Sequence, residues 1–588
     1  MALKWAVQRP KLVETQPVEA NNLIYTEGND GYEVALNLTG SLAWQQFVGT
    51  ATDSCDARAH GASTTATVAD ETIGGNSTSV LYTGGFANGQ AELYALNALS
   101  GTIIWQRPLG DSVNTDTDMW SSPLVYNGSV YVGVASASDC PLVQGKLVQM
   151  DATNGAIQNT FKATPDGCIG PGIWGSPTLD TAATSTATVS SPTTSVATST
   201  ATVYVATGNG PTSGSCSPSA PVYAESLVAL NATDLRVLSS WQVPSGQQVN
   251  DGDFGSTPTL FTANMNGQQH SMVGLVNKNG IYYAFDRANL GPGPVWQTVV
   301  SVGGPSPEYG GGSVAPSAWD GSHLYVAGGT MSYGGSTCVS LLQALDPSTG
   351  KSIWADCLST GPVLGAVTAA PGIVEVGAGN AIYIFDSSSG KLLYTYVNSA
   401  LSGDRFQSAG SISNGVLYQG DVKGYIYALA PTSLIQTTAS LSGTQDCNTY
   451  SGPVMVTLSA SESGGTIKNT VYQLGSGPVT TYTGPFQISG SGNHTLTFHS
   501  TDTSGNVEPA RTKIIPIGPQ ITLNVVKGPY GTTVPVTGTT FQAGETVNVY
   551  WDSATSTPVA STVAKSNCSI STSFKTPQAA LGAHSVIA

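Results

Sequence analysis

Charged side chains are scarce in this chain. Asp, Glu, Lys and Arg make up 10% of its 588 residues, and 20 Lys and Arg face 36 Asp and Glu, a formal net charge of −16. So few cations cannot neutralise a run of phosphates, which excludes nucleic acid and anionic membrane surfaces as partners. No apolar run reaches the length of a membrane span. The opening residues MALKWAVQRP lack the apolar core of a signal peptide, so an exported chain is expected to begin after a removed leader. The 6 histidines show no metal-ligand spacing. A C-x-x-C-H haem attachment, a P-loop and a nucleophile elbow are missing too, and with them their chemistries.

Glycine is abundant at 69 residues, and Ser and Thr fill the stretches between apolar blocks. That composition suits an all-β chain with many tight turns. The length allows three or four domains, although one large propeller can take most of it. With 8 cysteines and Ser/Thr-rich loops, an oxidising setting is expected, extracellular or at the cell surface.

A repeat organises the chain. Segments of the form Leu-x-Ala-Leu-Asn/Asp, a Gly turn, then Trp occur at Tyr32–Trp44, Leu93–Trp105, Leu227–Trp241, Tyr282–Trp296 and Leu341–Trp354. Degenerate copies lie at Leu147–Phe161 and Ile382–Tyr396, and a half copy at Ile426–Pro431. Each copy reads as strand, turn, strand, and most are preceded by another strand pair. One such unit runs from a strand starting at Gly255 through Met272–Val276 to Ile281–Phe285. Four strands per unit predict a β-propeller of eight blades over residues 1–433. The last unit lacks its Trp strand, and Leu3–Gln8 has the pattern to supply it and close the ring. The Thr/Ser/Ala-rich insertion at Thr181–Thr202 reads as a loop without chemistry. After Pro431 the repeat stops. Short strands and Gly/Pro turns predict two small β-sandwiches, residues 434–517 and 518–588, the second cut short at Ala588.

Propeller connectivity brings distant residues together. Trp120, Trp174 and Phe254 hold one repeat position, the start of the innermost strand; Ser136, Asn209 and Lys278 hold another, the end of the second strand. Trp174, Asn209, Asp253 and Lys278 are therefore expected to converge near the axis on one face, where propellers bind ligands. Taken singly, each has a plain structural role: packing, turn, strand cap or solvated side chain. Six cysteines, Cys55, Cys140, Cys168, Cys216, Cys338 and Cys357, fall in loops on that face. Cys338–Cys357 is the favoured bridge, followed by Cys168 with Cys140 or Cys216.

GIWGSPTLD, VYVATGNG, DGDFGS and NKNGIYYAFDR carry a family resemblance. Over residues 1–431 the repeat resembles the quinoproteins, propellers that bind pyrroloquinoline quinone (PQQ), and within them the polyvinyl-alcohol-dehydrogenase-like propellers. The resemblance implies Trp174 as quinone floor, Lys278 as quinone contact, Asp253 as general base and Asn209 as calcium ligand. The family's Glu ligand is missing from GVASASDCPLVQG, where Asp139 is the substitute. TYTGPF and HSTDTSGNVE, in the first C-terminal module, resemble the immunoglobulin-like modules of secreted bacterial glycosidases and surface proteins.

Two functions follow. One is an exported quinoprotein dehydrogenase that oxidises a small alcohol or a surface polymer and passes electrons to an external acceptor. The other is a non-catalytic surface binding, adhesion or assembly protein that self-associates or binds cell-surface partners through its C-terminal modules.

Overall fold

The computed structural model describes the chain except residues 53–57, 111–116, 138–141, 182–200, 211–221, 400–404, 432–434, 447–448, 451, 463–465, 504–505, 526, 540, 567 and 580–581. It is almost entirely β, with one short 3₁₀ turn at Pro307–Tyr309. Residues 1–430 and 431–588 are two compact units.

Among the described residues the first unit holds eight antiparallel sheets of four or five strands and one two-stranded sheet, built mostly from strands adjacent in the chain. The first sheet is typical: Val18–Ala20, Leu23–Glu27, Tyr32–Asn37 and Leu42–Phe47. The third carries an extra short strand, and the sixth an inserted hairpin, Met331–Tyr333 with Ser336–Cys338. The last comprises Ser411–Ser413, Val416–Gly420, Tyr425–Ala430 and the N-terminal strand Ala2–Gln8. Ala2–Gln8 lies antiparallel to Tyr425–Ala430. The N-terminus thus joins the last sheet as the tryptophan pattern predicts, and covers an edge that would otherwise present unpaired backbone groups.

Four of the five repeat tryptophans hydrogen-bond into the next sheet, and Trp241 packs on Tyr283 and Phe285 of the next one. The indole N–H of Trp44 donates to the Ala98 carbonyl, that of Trp105 to Ala152, and that of Trp354 to Ser387, at 2.9, 3.0 and 3.0 Å. Trp296 does the same to Pro347 at 2.9 Å. Trp5 extends the pattern from the last sheet to the first, donating to Leu38 at 3.0 Å. The repeat glycine makes room: a Cβ on Gly155, at φ +70, would lie 2.6 Å from the Trp105 ring. That is why Gly recurs there.

Near the axis, hydroxyls replace backbone pairing. Thr259–Met265 begins four residues later than the sequence suggests, because Ser256 takes over the ladder. Its hydroxyl donates to the Val276 carbonyl at 2.8 Å and accepts the Val276 N–H at 3.1 Å. Pro258 has no N–H to pair. Ser408 does the same to Gly420, at 3.0 and 2.9 Å. A second belt runs between sheets: the N–H groups of Gln16, Thr65, Ser122 and Ser176 donate to the hydroxyls of Thr65, Ser122, Ser176 and Thr257, at 3.0 to 3.2 Å. Five sheets are linked around the axis in this way.

The second unit contains a three-stranded and a six-stranded sheet over residues 435–517, then two three-stranded sheets over residues 520–587. Val454, Val456, Leu496, Phe498 and Ile515 form the first core, and Val534, Val536, Val549 and Phe574 the second.

Candidate active site

Four residues singled out from the sequence come together. Asp253 precedes the fifth sheet and Lys278 follows its second strand, and the Lys278 N–H donates to the Asp253 carbonyl at 3.0 Å. The Lys278 ammonium sits 2.7 Å from Asp253 Oδ2 and 2.8 Å from Asp251 Oδ2. It lies 5.6 Å from the centre of the Trp174 ring. The Asn209 backbone N–H donates to Asp253 Oδ1 at 2.5 Å, and its side-chain amide donates to Asp251 Oδ1 at 3.1 Å. Close approach depends on glycine: a Cβ on Gly255 would fall 2.0 Å from the Trp174 ring, and one on Gly208 2.6 Å from Asp253 Oδ1.

Burial sets the electrostatics. Asp253 is 6% exposed and Lys278 8%. Burial raises the Asp253 carboxyl to about 6 against the pull of Lys278. For Lys278, burial lowers the pKa, but Asp253 and Asp251 outweigh it and hold it above its ordinary value. Glu225 is a third carboxyl, raised to about 7 by burial and then by Asp253 and Asp251. Its Oε2 is buried without a hydrogen-bond partner, beside Gly252.

Two cavities meet here. One of about 230 Å³ is lined by Asn209, Asp251, Asp253, Lys278, Trp174 and Trp120. The other, about 440 Å³, receives residues from the connections that lead into the eight larger sheets, among them Glu14, Thr65, Ser122, Thr257, Leu364 and Gln407. Trp120, Trp174 and Lys278 line both. Glu14 accepts hydrogen bonds from Gln407 at 2.9 Å and Ser63 at 3.1 Å, and burial raises its pKa.

Of the other expected site residues, Asp139 and Cys140 lie outside the described residues. Cys338 and Cys357 form a disulfide with a Cα separation of 5.2 Å. Cys338 ends the hairpin strand Ser336–Cys338 and Cys357 sits in the outer strand Ser352–Leu358, where loops were expected. Cys168 is disulfide-bonded. Sequence reasoning missed Asp251, Glu225, Trp120 as a wall, and Glu14. For Asp251 the signal was present: the Asp-Gly-Asp spacing holds two carboxylates two residues apart. Nothing local marks Glu225.

A family model for the β-propeller domain of glucose, ethanol and alcohol dehydrogenases matches residues 6–301, half of the chain. The chain belongs to the PQQ-repeat β-propeller family. A second model of PQQ-repeat propellers, for the outer membrane protein assembly factor BamB, matches residues 277–434. Among solved structures, this PQQ-repeat chain is similar to the quinohemoprotein alcohol dehydrogenase of Comamonas testosteroni, at 17% identity and a TM-score of 0.54, covering 76% of this chain and 79% of that one. It is also similar to quinohemoprotein alcohol dehydrogenase ADHIIG of Pseudomonas putida HK5, at 16% identity and a TM-score of 0.51, covering 71% of each chain. At these identities the likeness is one of fold. No curated protein matches the chain. Among the described residues, no helix is long and apolar enough to cross a membrane.

Proposed function

We propose that the protein is an exported quinoprotein alcohol dehydrogenase, an eight-bladed propeller followed by two immunoglobulin-like modules. The observation that carries this reading is the buried Asp253–Lys278 pair beside the half-exposed Trp174 ring, at the junction of two cavities.

The donor set fits a flat anionic quinone. Trp174, backed by Gly255, offers a ring face; Lys278 offers a cation; the belt hydroxyls offer polar partners. When bound, the quinone would take up the hydrogen and the two electrons of the alcohol C–H bond. Asp253, ionised above about pH 6, takes the hydroxyl proton. Lys278 holds Asp253 in place and orients the oxidant, while Asp251 steadies Lys278 from the other side.

Calcium fits less well. The Asp251 and Asp253 oxygens each face an N–H donor, and an ion of this kind takes six to eight oxygens. Asn209 and Asp139 would have to supply ligands, and no step is routed through the ion. The same engaged oxygens favour the second reading, a scaffold built on a degenerate site.

Asp253→Asn separates the two. In an enzyme the substitution lowers dye-linked alcohol oxidation by about 10²–10⁴-fold and leaves quinone binding in place. Equal rates in variant and wild type would remove Asp253 from the chemistry.

A further inference from the structure

At the opposite end of the fifth sheet from Asp253 lies a groove of about 420 Å³. Its volume is in the range of small-ligand clefts, about 300–1,000 Å³. One wall is the hairpin of Thr259–Met265 and Gln268–Val276, which turns at Asn266 and Gly267. The other wall comes from two turns of the sixth sheet, around Ser322 and Ser348. Trp319 lines the groove between them, half-buried, its ring packed 5.9 Å from Phe261. Asn264 and Gln269 face each other across the hairpin, and both are exposed.

The lining chemistry is selective. No Lys, Arg or His lines the groove, so a phosphate or carboxylate finds no counter-charge. Its one carboxylate, Asp346, already accepts the Ser348 and Thr349 N–H groups through Oδ1, at 2.8 and 2.9 Å, which makes it a turn anchor. What remains is an aromatic ring, two amides that both donate and accept, and hydroxyls. A purely apolar ligand would strand those amides without partners. A sugar ring meets every term: its C–H face covers an aromatic ring, and each hydroxyl needs one donor and one acceptor.

We propose that this groove binds a neutral oligosaccharide, with Trp319 stacked on one sugar ring and Asn264 and Gln269 holding its hydroxyls. The site is independent of the dehydrogenase reading, since it shares no residue with the Asp253 cavities.

Isothermal titration of the full chain with xylohexaose, cellohexaose and chitohexaose tests it. Saturable binding of at least one is expected, weakened roughly tenfold or more by Trp319→Ala. Asp253→Asn, in the other site, should leave the affinity unchanged. Thermal unfolding checks that Trp319→Ala folds. If it does not, the double variant Asn264→Ala/Gln269→Ala, at two exposed positions, decides in its place: weakened binding supports the groove and unchanged binding overturns it. No saturable heat with any of the three sugars up to about 10 mM, or equal affinity in a folded Trp319→Ala, also overturns it.

Discussion

Asp253 and Lys278 are unusual residues in this chain because they are ionisable, buried and adjacent to open cavities at once. A carboxyl held near 6 is a proton acceptor at neutral pH that still binds a proton appreciably, the compromise a general base needs. The rate of alcohol oxidation is therefore expected to rise with pH through about 6 and level off above it. A rate independent of pH from 5 to 8, on the order of three units around that value, would contradict this assignment. Other buried carboxyls point to a different property. Glu375 is fully buried, and burial raises its pKa to about 8. Glu33 is fully buried too, and burial raises it to about 8. Such groups bind protons more tightly folded than unfolded. Their contribution to stability is complete below the ordinary carboxylate range and is lost as pH rises through about 8. Melting temperature should fall between about pH 5 and pH 9, and Glu375→Gln should flatten that slope. A melting temperature that rises over the same interval would show the opposite linkage.

At the scale of elements, the strand Ala2–Gln8 and the hairpin held by Cys338 make separate contributions. Removing residues 1–8 strips an edge from the last sheet and takes Trp5 from its seat on Gly40 and Leu38. Trp5→Ala alone should cost on the order of 2 kcal/mol, read as a lower denaturant midpoint. An unchanged midpoint would mean that the strand carries no load. The Cys338–Cys357 bridge spans a sequence separation of 19 and should contribute about 3 kcal/mol. Replacing both cysteines by serine measures it. The N-terminal strand was legible in the sequence because the repeat leaves a periodic mark, a Trp at a fixed distance from an Asn/Asp and Gly turn, and the last repeat lacks one; the hairpin Met331–Cys338 leaves no such mark. The convergence of Trp174, Asn209, Asp253 and Lys278 was legible for the same reason, since equal positions in a cyclic repeat end on one face. The hydroxyl belts were not. Ser and Thr occur everywhere in this chain, so Ser256 standing in for a strand pair has no distinguishing context. Glu225 was hidden because its role depends on Gly252, 27 residues away, approaching within contact of its carboxylate.

At the scale of the whole molecule, charge is sparse, and in the first unit the sheets are interlocked around a few polar places. Indole-to-carbonyl links from Trp5, Trp44, Trp105, Trp296 and Trp354 and the hydroxyl belt across five sheets tie sheets to their neighbours, and the site residues are held by four different strand ends. In the proposed enzyme this frame holds a quinone against Trp174 and Lys278. This is tested most directly by titrating the purified full chain with pyrroloquinoline quinone and following tryptophan fluorescence, for wild type and for Trp174→Ala. Saturable quenching by wild type, with the affinity of Trp174→Ala weaker by roughly tenfold, is the predicted result. No saturable binding by wild type, with or without added calcium, would contradict the account and leave the propeller as a scaffold.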